Sequence, residues 1–126
     1  MSFDIFLQGF AGGEAASGQA EAAGRVLAPY MVGAPHDGYV YVQLPDGGAD
    51  VYGVGGSSLM INDAAGEQIW DLVVSVAVAA GWVIMPVGCP VCVVDTDQVE
   101  ILPDELRGDV VIVRTGAQLL RVILDS

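Results

Sequence analysis

The stretch Ile69–Val87, IWDLVVSVAVAAGWVIMPV, decides the fold. It opens a run from Leu72 to Val94 without one charged residue, long enough to span a bilayer. Gly81, Pro86, Gly88 and Pro90 interrupt that run, and no Lys or Arg lies between Arg25 and Arg107 to orient a span. The stretch also divides in two. Ile69, Val73, Val76 and Ala80 recur at helical spacing, with Trp70 and Ala77 beside them and Glu67, Asp71 and Ser75 opposite. Gly81 suits the left-handed position that ends a helix. Trp82–Val87 then reads as a buried strand, with Val91–Val94 extending it past the Gly-Cys-Pro bend. A helix followed by a strand belongs to a folded domain, and no membrane partner is expected.

Working outward, Asn62 or Asp63 is the expected cap of that helix. Upstream, Tyr39–Leu44 (YVYVQL) is a β-branched and aromatic strand, Pro45-Asp46-Gly47-Gly48 a turn, and Asp50–Val54 the returning strand. Gly55-Gly56-Ser57-Ser58 is a loop, after which Leu59, Met60 and Ile61 resume pairing. At the start, Phe3, Ile5 and Leu7 alternate with Asp4, Phe6 and Gln8, a strand that ends at Ala11-Gly12-Gly13. Ser17–Met31 predicts a helix, with Ala20, Ala23, Leu27 and Tyr30 on one face, Gly24 weakening it and Pro29 near its end. Downstream come an acidic turn at Pro103–Leu106 and a strand at Val110–Val113. Thr115-Gly116-Ala117-Gln118 matches a capping box before a last short helix.

The element order is β-α-β-β-α-β followed by β-α. That predicts an α/β (α+β) fold, a ferredoxin-like split plait with an added C-terminal strand and helix. At 126 residues the expectation is one domain, 1–126. A chain of this size buries roughly two thirds of its unfolded surface, so it needs no disulfide or metal staple.

Charge narrows the function. Sixteen Asp and Glu face four Arg and no Lys, for a net charge of −12. Arg25, Arg107, Arg114 and Arg121 cannot make a basic patch, so nucleic-acid binding through phosphates is excluded and an anionic membrane surface disfavoured. A basic protein would be attracted, and faster at low salt. The same charge also keeps a chain that is 53% hydrophobic in solution. In MSFDIFLQGF, Asp4 stands where a signal peptide carries a positive residue, so a cytoplasmic location with reduced cysteines is expected.

Cys89-Pro90-Val91-Cys92 leaves three readings open. A redox pair needs its first thiol at a helix N-terminus, and Val91, Val93 and Val94 read instead as strand. A zinc site needs four ligands, so it would require a homodimer offering two pairs, with His36 the only other soft ligand. As structure, the two are small apolar residues at a bend. His36 beside Asp37 reads as a turn. Gly53-Val54-Gly55-Gly56-Ser57-Ser58 lacks the Lys and the helix of a phosphate loop. Asp95-Thr96-Asp97-Gln98-Val99-Glu100 has the acidity of a calcium loop, but Val99 stands at a ligand position. No cofactor and no catalytic set is expected.

Met1–Asp4 (MSFD), Asp50–Val54 (DVYGV), Ile69-Trp70-Asp71, Pro86–Pro90 (PVGCP) and Arg114–Leu120 (RTGAQLL) resemble stretches of uncharacterised small acidic bacterial proteins. In general cast the chain resembles immunity proteins of bacterial toxin systems, which are short, acidic and cytoplasmic. The resemblance implies a non-enzymatic interaction protein that binds and neutralises a basic toxin, and it assigns no residue. From the residues themselves, Asp95, Asp97, Glu100, Asp104 and Glu105 are the candidate partner surface. Tyr39, Tyr41 and Tyr52 are candidate anchors, because interface cores favour Tyr. The alternatives are a thiol-disulfide protein with Cys89 as nucleophile, or a zinc-bridged dimer through Cys89 and Cys92.

Overall fold

The structure, a computed structural model, describes residues 4–16 and 18–126. Phe3 of the expected first strand and Ser17 of the expected first helix lie outside the described residues. The strands are β1 (Ile5–Ala11), β2 (Glu14–Ala16), β3 (Met31–His36), β4 (Tyr39–Leu44), β5 (Gly47–Tyr52), β6 (Ser58–Ala65), β7 (Val83–Pro86), β8 (Val91–Val93) and β9 (Val110–Ile112). The helices are α1 (Ala20–Leu27), α2 (Gln68–Ala80) and α3 (Gly116–Leu124), and short 3₁₀ turns cover Ala28–Tyr30, Thr96–Ile101 and Asp104–Leu106. Among the described residues no helix is long and apolar enough to cross a membrane.

The fold is a mixed α/β arrangement on one sheet, ordered β3-β4-β5-β6-β1-β7-β8-β9, with β2 added to the far end of β1. All pairings are antiparallel except that of β8 with β9. The two strands expected between the first two helices are a four-stranded meander. The extra hairpin turns on Asp37 and Gly38, both at positive φ, which is the Asp-Gly signature of a tight two-residue connection. Gly12 and Gly13, read as a strand break, are likewise the turn of the β1–β2 hairpin. Val91–Val94 does not extend β7. The Cys89 amide donates to the Pro86 carbonyl at 3.1 Å with Gly88 at φ 78°, and β8 folds back onto β7.

Strand alternation sends Ile5, Leu7, Val40, Val42, Val51, Leu59, Ile61 and Ile84 to one face of the sheet. The three helices cover that face, with α1 and α3 packed on either side of α2. Central placement explains why α2 is buried around most of its circumference, and why only Gln68, Asp71, Ser75, Val78 and Ala79 stay exposed. Gly81 ends α2 at φ 69°. The start of α2 is not capped by Asn62 or Asp63, which pair within β6 or at its bulge. Instead Asp46, in the β4–β5 turn, accepts from the amides of Glu67 and Gln68 at 2.8 and 3.3 Å. A cap reaching across 21 residues of sequence has no local signature.

Thr115 caps α3 as expected, its Oγ1 accepting from the Gln118 amide at 3.2 Å. The reciprocal bond shifts by one residue: Gln118 accepts from the amide of Arg114, not of Thr115, at 2.6 Å. Asp71 of α2 accepts from the Gly116 amide at 2.8 Å, which ties the two helices together. The approach is so close that a Cβ on Gly116 would lie 2.6 Å from the Trp70 carbonyl carbon and nearer still to the Asp71 amide.

Two glycine substitutions therefore have opposite signs. Gly24 lies mid-helix with nothing within 4 Å of its would-be Cβ, so Gly24→Ala stabilises by about 0.5–1 kcal/mol. Gly116→Ala forces α3 off α2 and destabilises by about 1–3 kcal/mol. Urea unfolding followed by circular dichroism reads both, and a Gly116→Ala midpoint at or above the parent value contradicts the packing described.

Candidate functional site

The second face of the sheet is covered over part of its width only. At the β7–β9 side, the segment from Asp95 to Asp109 lies on it. There Leu102 packs on Val83 and Val93, with Val99, Leu106, Phe10, Met85, Val91 and Val110 around them. Gln98 fastens this segment. Its Oε1 accepts from the Val94 amide at 2.8 Å, and its Nε2 donates to the Trp82 carbonyl at 3.2 Å. Among the described residues it is the one buried polar side chain, and sequence reading passed over it as part of an acidic run. Arg107 braces the same segment by donating to the Glu100 and Leu102 carbonyls at 2.7 and 3.1 Å.

Across β1, β6, β5 and β4 the second face is open among the described residues. A row of large side chains crosses it. Met85 pairs with Phe6, Phe6 with Met60 and Met60 with Tyr52 in strand register. The Tyr52 ring then meets the Tyr39 ring with centroids 5.0 Å apart and planes tilted by 46°. Phe6, Tyr52 and Tyr39 are 39%, 41% and 37% exposed, so the row is a surface and not a second core. A parallel row carries polarity: Tyr41 opposite Asp50, Asp50 opposite Asn62, and Asn62 donating to Asp4.

The structure thus brings Tyr39, Tyr41 and Tyr52 together. Tyr39 donates to Asp50 at 2.6 Å, and that bond, ahead of partial desolvation, pushes its phenol up to about 12, so it stays protonated. The Tyr41 ring lies across Gly48, where a Cβ would come within 2.8 Å of its Cζ. Phe6, Met60 and Met85 were missed as site residues. Their signal was present: each is a large apolar side chain in the outward phase of a strand whose inward phase is already apolar.

The acidic candidates sit at the other end of the same face, all exposed on the covering segment. They are not equivalent. Asp95 caps a 3₁₀ turn by accepting from the Asp97 amide at 3.0 Å, and Asp104 stands 3.7 Å from Arg107. Asp97, Glu100 and Glu105 carry no such duty in the described contacts. His36 and Asp37 lie 3.6 Å apart at 90% and 93% exposure at the β3–β4 turn. The Gly53–Ser58 loop leads into β6 and presents no helix N-terminus. A groove of about 880 Å³ runs between the start of α2 and α3; of its three carboxylates, Asp46 and Asp71 are helix caps and Glu67 stands exposed beside them.

Cys89 and Cys92 are free thiols at the β7–β8 turn. Cys92 lies within β8 and no helix starts at either residue, so no helix dipole acts on the pair. Cys92 points into the helix-side core, and burial, with a smaller contribution from Cys89, pushes its thiol up to about 11. Among the described residues no group of three His, Cys, Asp or Glu side chains could hold a metal ion.

Alkylation at pH 8 should therefore modify Cys89 and spare Cys92, read by mass spectrometry of the labelled peptides. Because the folded Cys92 thiol ionises above its unfolded value, folding keeps a proton that the unfolded chain releases. Stability should accordingly fall as pH rises from about 9 towards 11. Equal labelling of both thiols would contradict the burial of Cys92. Compared with known proteins, the chain matches no protein family, no curated protein and no solved structure, so its function must be argued from this geometry.

Proposed function

We propose that the chain is a non-enzymatic interaction module that docks a basic protein on the open face of its sheet. The carrying observation is the unbroken row Phe6–Met60–Tyr52–Tyr39 on the part of the face that no element of the described chain covers, continued by Met85 at the edge of the covering segment. Contiguous exposed apolar surface marks interaction sites, and Tyr-rich centres favour protein partners. The net charge of −12 selects a basic partner over a second copy of the chain, which would be repelled. In this reading the apolar row supplies the hold, and Asp97, Glu100 and Glu105 speed the encounter. The resemblance to immunity proteins points to a toxin as the partner, neutralised by having its active site covered.

The fold reading that accompanies this is a split β-α-β-β-α-β plait. Its support is the inner strand order β7-β1-β6-β5, all antiparallel, with α1 and α2 on one face. On that reading β3 and β4 widen one side, and β8, β9 and α3 the other. The plait presents its helix-free face outward, which is where the aromatic row lies.

Two sets of variants test the function. Met60→Glu and Phe6→Glu place a charge in the row and should weaken capture of the partner from source-cell lysate by about tenfold or more. Asp97→Lys, Glu100→Lys and Glu105→Lys together should slow association several-fold at low salt and leave dissociation nearly unchanged. Asp95→Lys is a poorer probe, since it also removes a cap. Binding indifferent to both sets would overturn the proposed surface.

A further inference from the structure

We propose that Asp50, with the rings of Tyr39, Tyr41 and Tyr52, forms a receptor for one guanidinium group, the side chain of an arginine on the docking partner. This rests on the docking face proposed above and names what enters it. Asp50 is half-buried on β5, with Tyr41 opposite it on β4 and Asn62, which donates to Asp4, opposite it on β6. Tyr41 is its direct cross-strand neighbour, Tyr52 lies two residues along the same face, and the Tyr39 hydroxyl is 2.6 Å from its Oδ1.

Each part has a reason. The Tyr39 hydroxyl holds the carboxylate in one orientation by donating to Oδ1, and a carboxylate keeps further acceptor sites after one such bond. Tyr41 is itself held in place by lying across Gly48, so its ring is fixed before any ligand arrives. Tyr39 and Tyr52, at 5.0 Å and 46°, offer a tilted pair of ring surfaces beside the charge. A cation between a partly desolvated carboxylate and aromatic faces gains from both. Arginine fits better than lysine, because a planar guanidinium can stack on a ring and still present N–H groups edge-on to a carboxylate. A lysine ammonium must choose between the two and is harder to dehydrate.

The test titrates N-acetylargininamide, N-acetyllysinamide and tetramethylammonium chloride separately into the full chain. Tyrosine ring and Asp side-chain carboxyl signals are followed by NMR at low salt. The expected result is saturable shifts at Tyr39, Tyr41, Tyr52 and Asp50, with the arginine probe bound at least about threefold more tightly than either other probe. Asp50→Asn should weaken that binding by about tenfold, and Tyr52→Leu by about two- to fivefold. Tyr39→Phe keeps the ring and drops only the hydroxyl that orients Asp50, so it should weaken the binding by about two- to fivefold. Val78→Ala, at an exposed position on α2, guards against loss of fold and should bind within about twofold of the parent.

Shifts spread equally over Asp95–Glu105 overturn the proposal, as do absent saturation and equal affinity for the lysine probe. Tighter binding of tetramethylammonium also overturns it, in favour of a quaternary ammonium site. A partner lost with Met60→Glu but indifferent to Asp50→Asn would sink this receptor and leave the docking face standing. Saturable arginine binding with no partner sensitive to Met60→Glu would do the reverse.

Discussion

A sheet has two faces, and here the helices cover only one of them. Every other feature answers to that constraint. The inward phase of β1, β4, β5 and β6 is filled by Ile5, Leu7, Val40, Val42, Val51, Leu59 and Ile61, and α2 lies against it as the centre of a three-helix row. Burying side chains of this size contributes about 1.5–3 kcal/mol each, so the helical face carries the bulk of the stability. The opposite face has to be met some other way. Over β7 and β8 it is met by the segment carrying Val99, Leu102 and Leu106, which is why Val83 and Val93 are buried and those strands read as unbroken apolar runs. Over β1, β6, β5 and β4 it is left to Phe6, Met60, Tyr52 and Tyr39.

That division also assigns the acidic residues their place. The covering segment needs Gln98 and Arg107 to anchor it, and Asp95 to start its first turn. Its remaining carboxylates project from a braced surface beside an apolar row. Charge and apolar area do different things in association. Charge accelerates encounter and rejects like-charged partners, while fully desolvated aromatic side chains slow release. The two sets lie at opposite ends of one face, so a single partner can meet both. The Cys89/Cys92 pair stands outside this arrangement, on a turn between two strands with one thiol turned into the core.

Elements whose signals are local were legible in the sequence. The spacing of Ile69, Val73, Val76 and Ala80 with Gly81 behind them placed α2 and its end, and Thr115 with Gln118 placed the start of α3. What was not legible depends on contacts distant in sequence. The Asp46 cap of α2 joins a turn to a helix more than twenty residues away. Gln98 looks like one more polar residue in an acidic run until Trp82 and Val94 are brought against it. The β3–β4 hairpin was missed differently: His36-Asp37 was read as a turn before a strand, and Gly33 and Pro35 weaken the strand signal on its other side. For the candidate site, the tyrosines were named from composition alone. Their union with Phe6 and Met60 appears only when β1 is inserted between β6 and β7.

On the proposed function, the open sheet face and not the helical face meets a basic partner. Site-specific photocrosslinking tests it directly. A benzophenone amino acid is placed at Phe6, in the middle of the row, and in a second protein at Val78, which is 60% exposed on α2. Each is illuminated in source-cell lysate at low and moderate salt. The Phe6 position should capture one basic chain, in an amount that falls as salt rises, and Val78 should not capture it. Capture of that chain from Val78 alone, or equally from both positions, would contradict the proposed docking face.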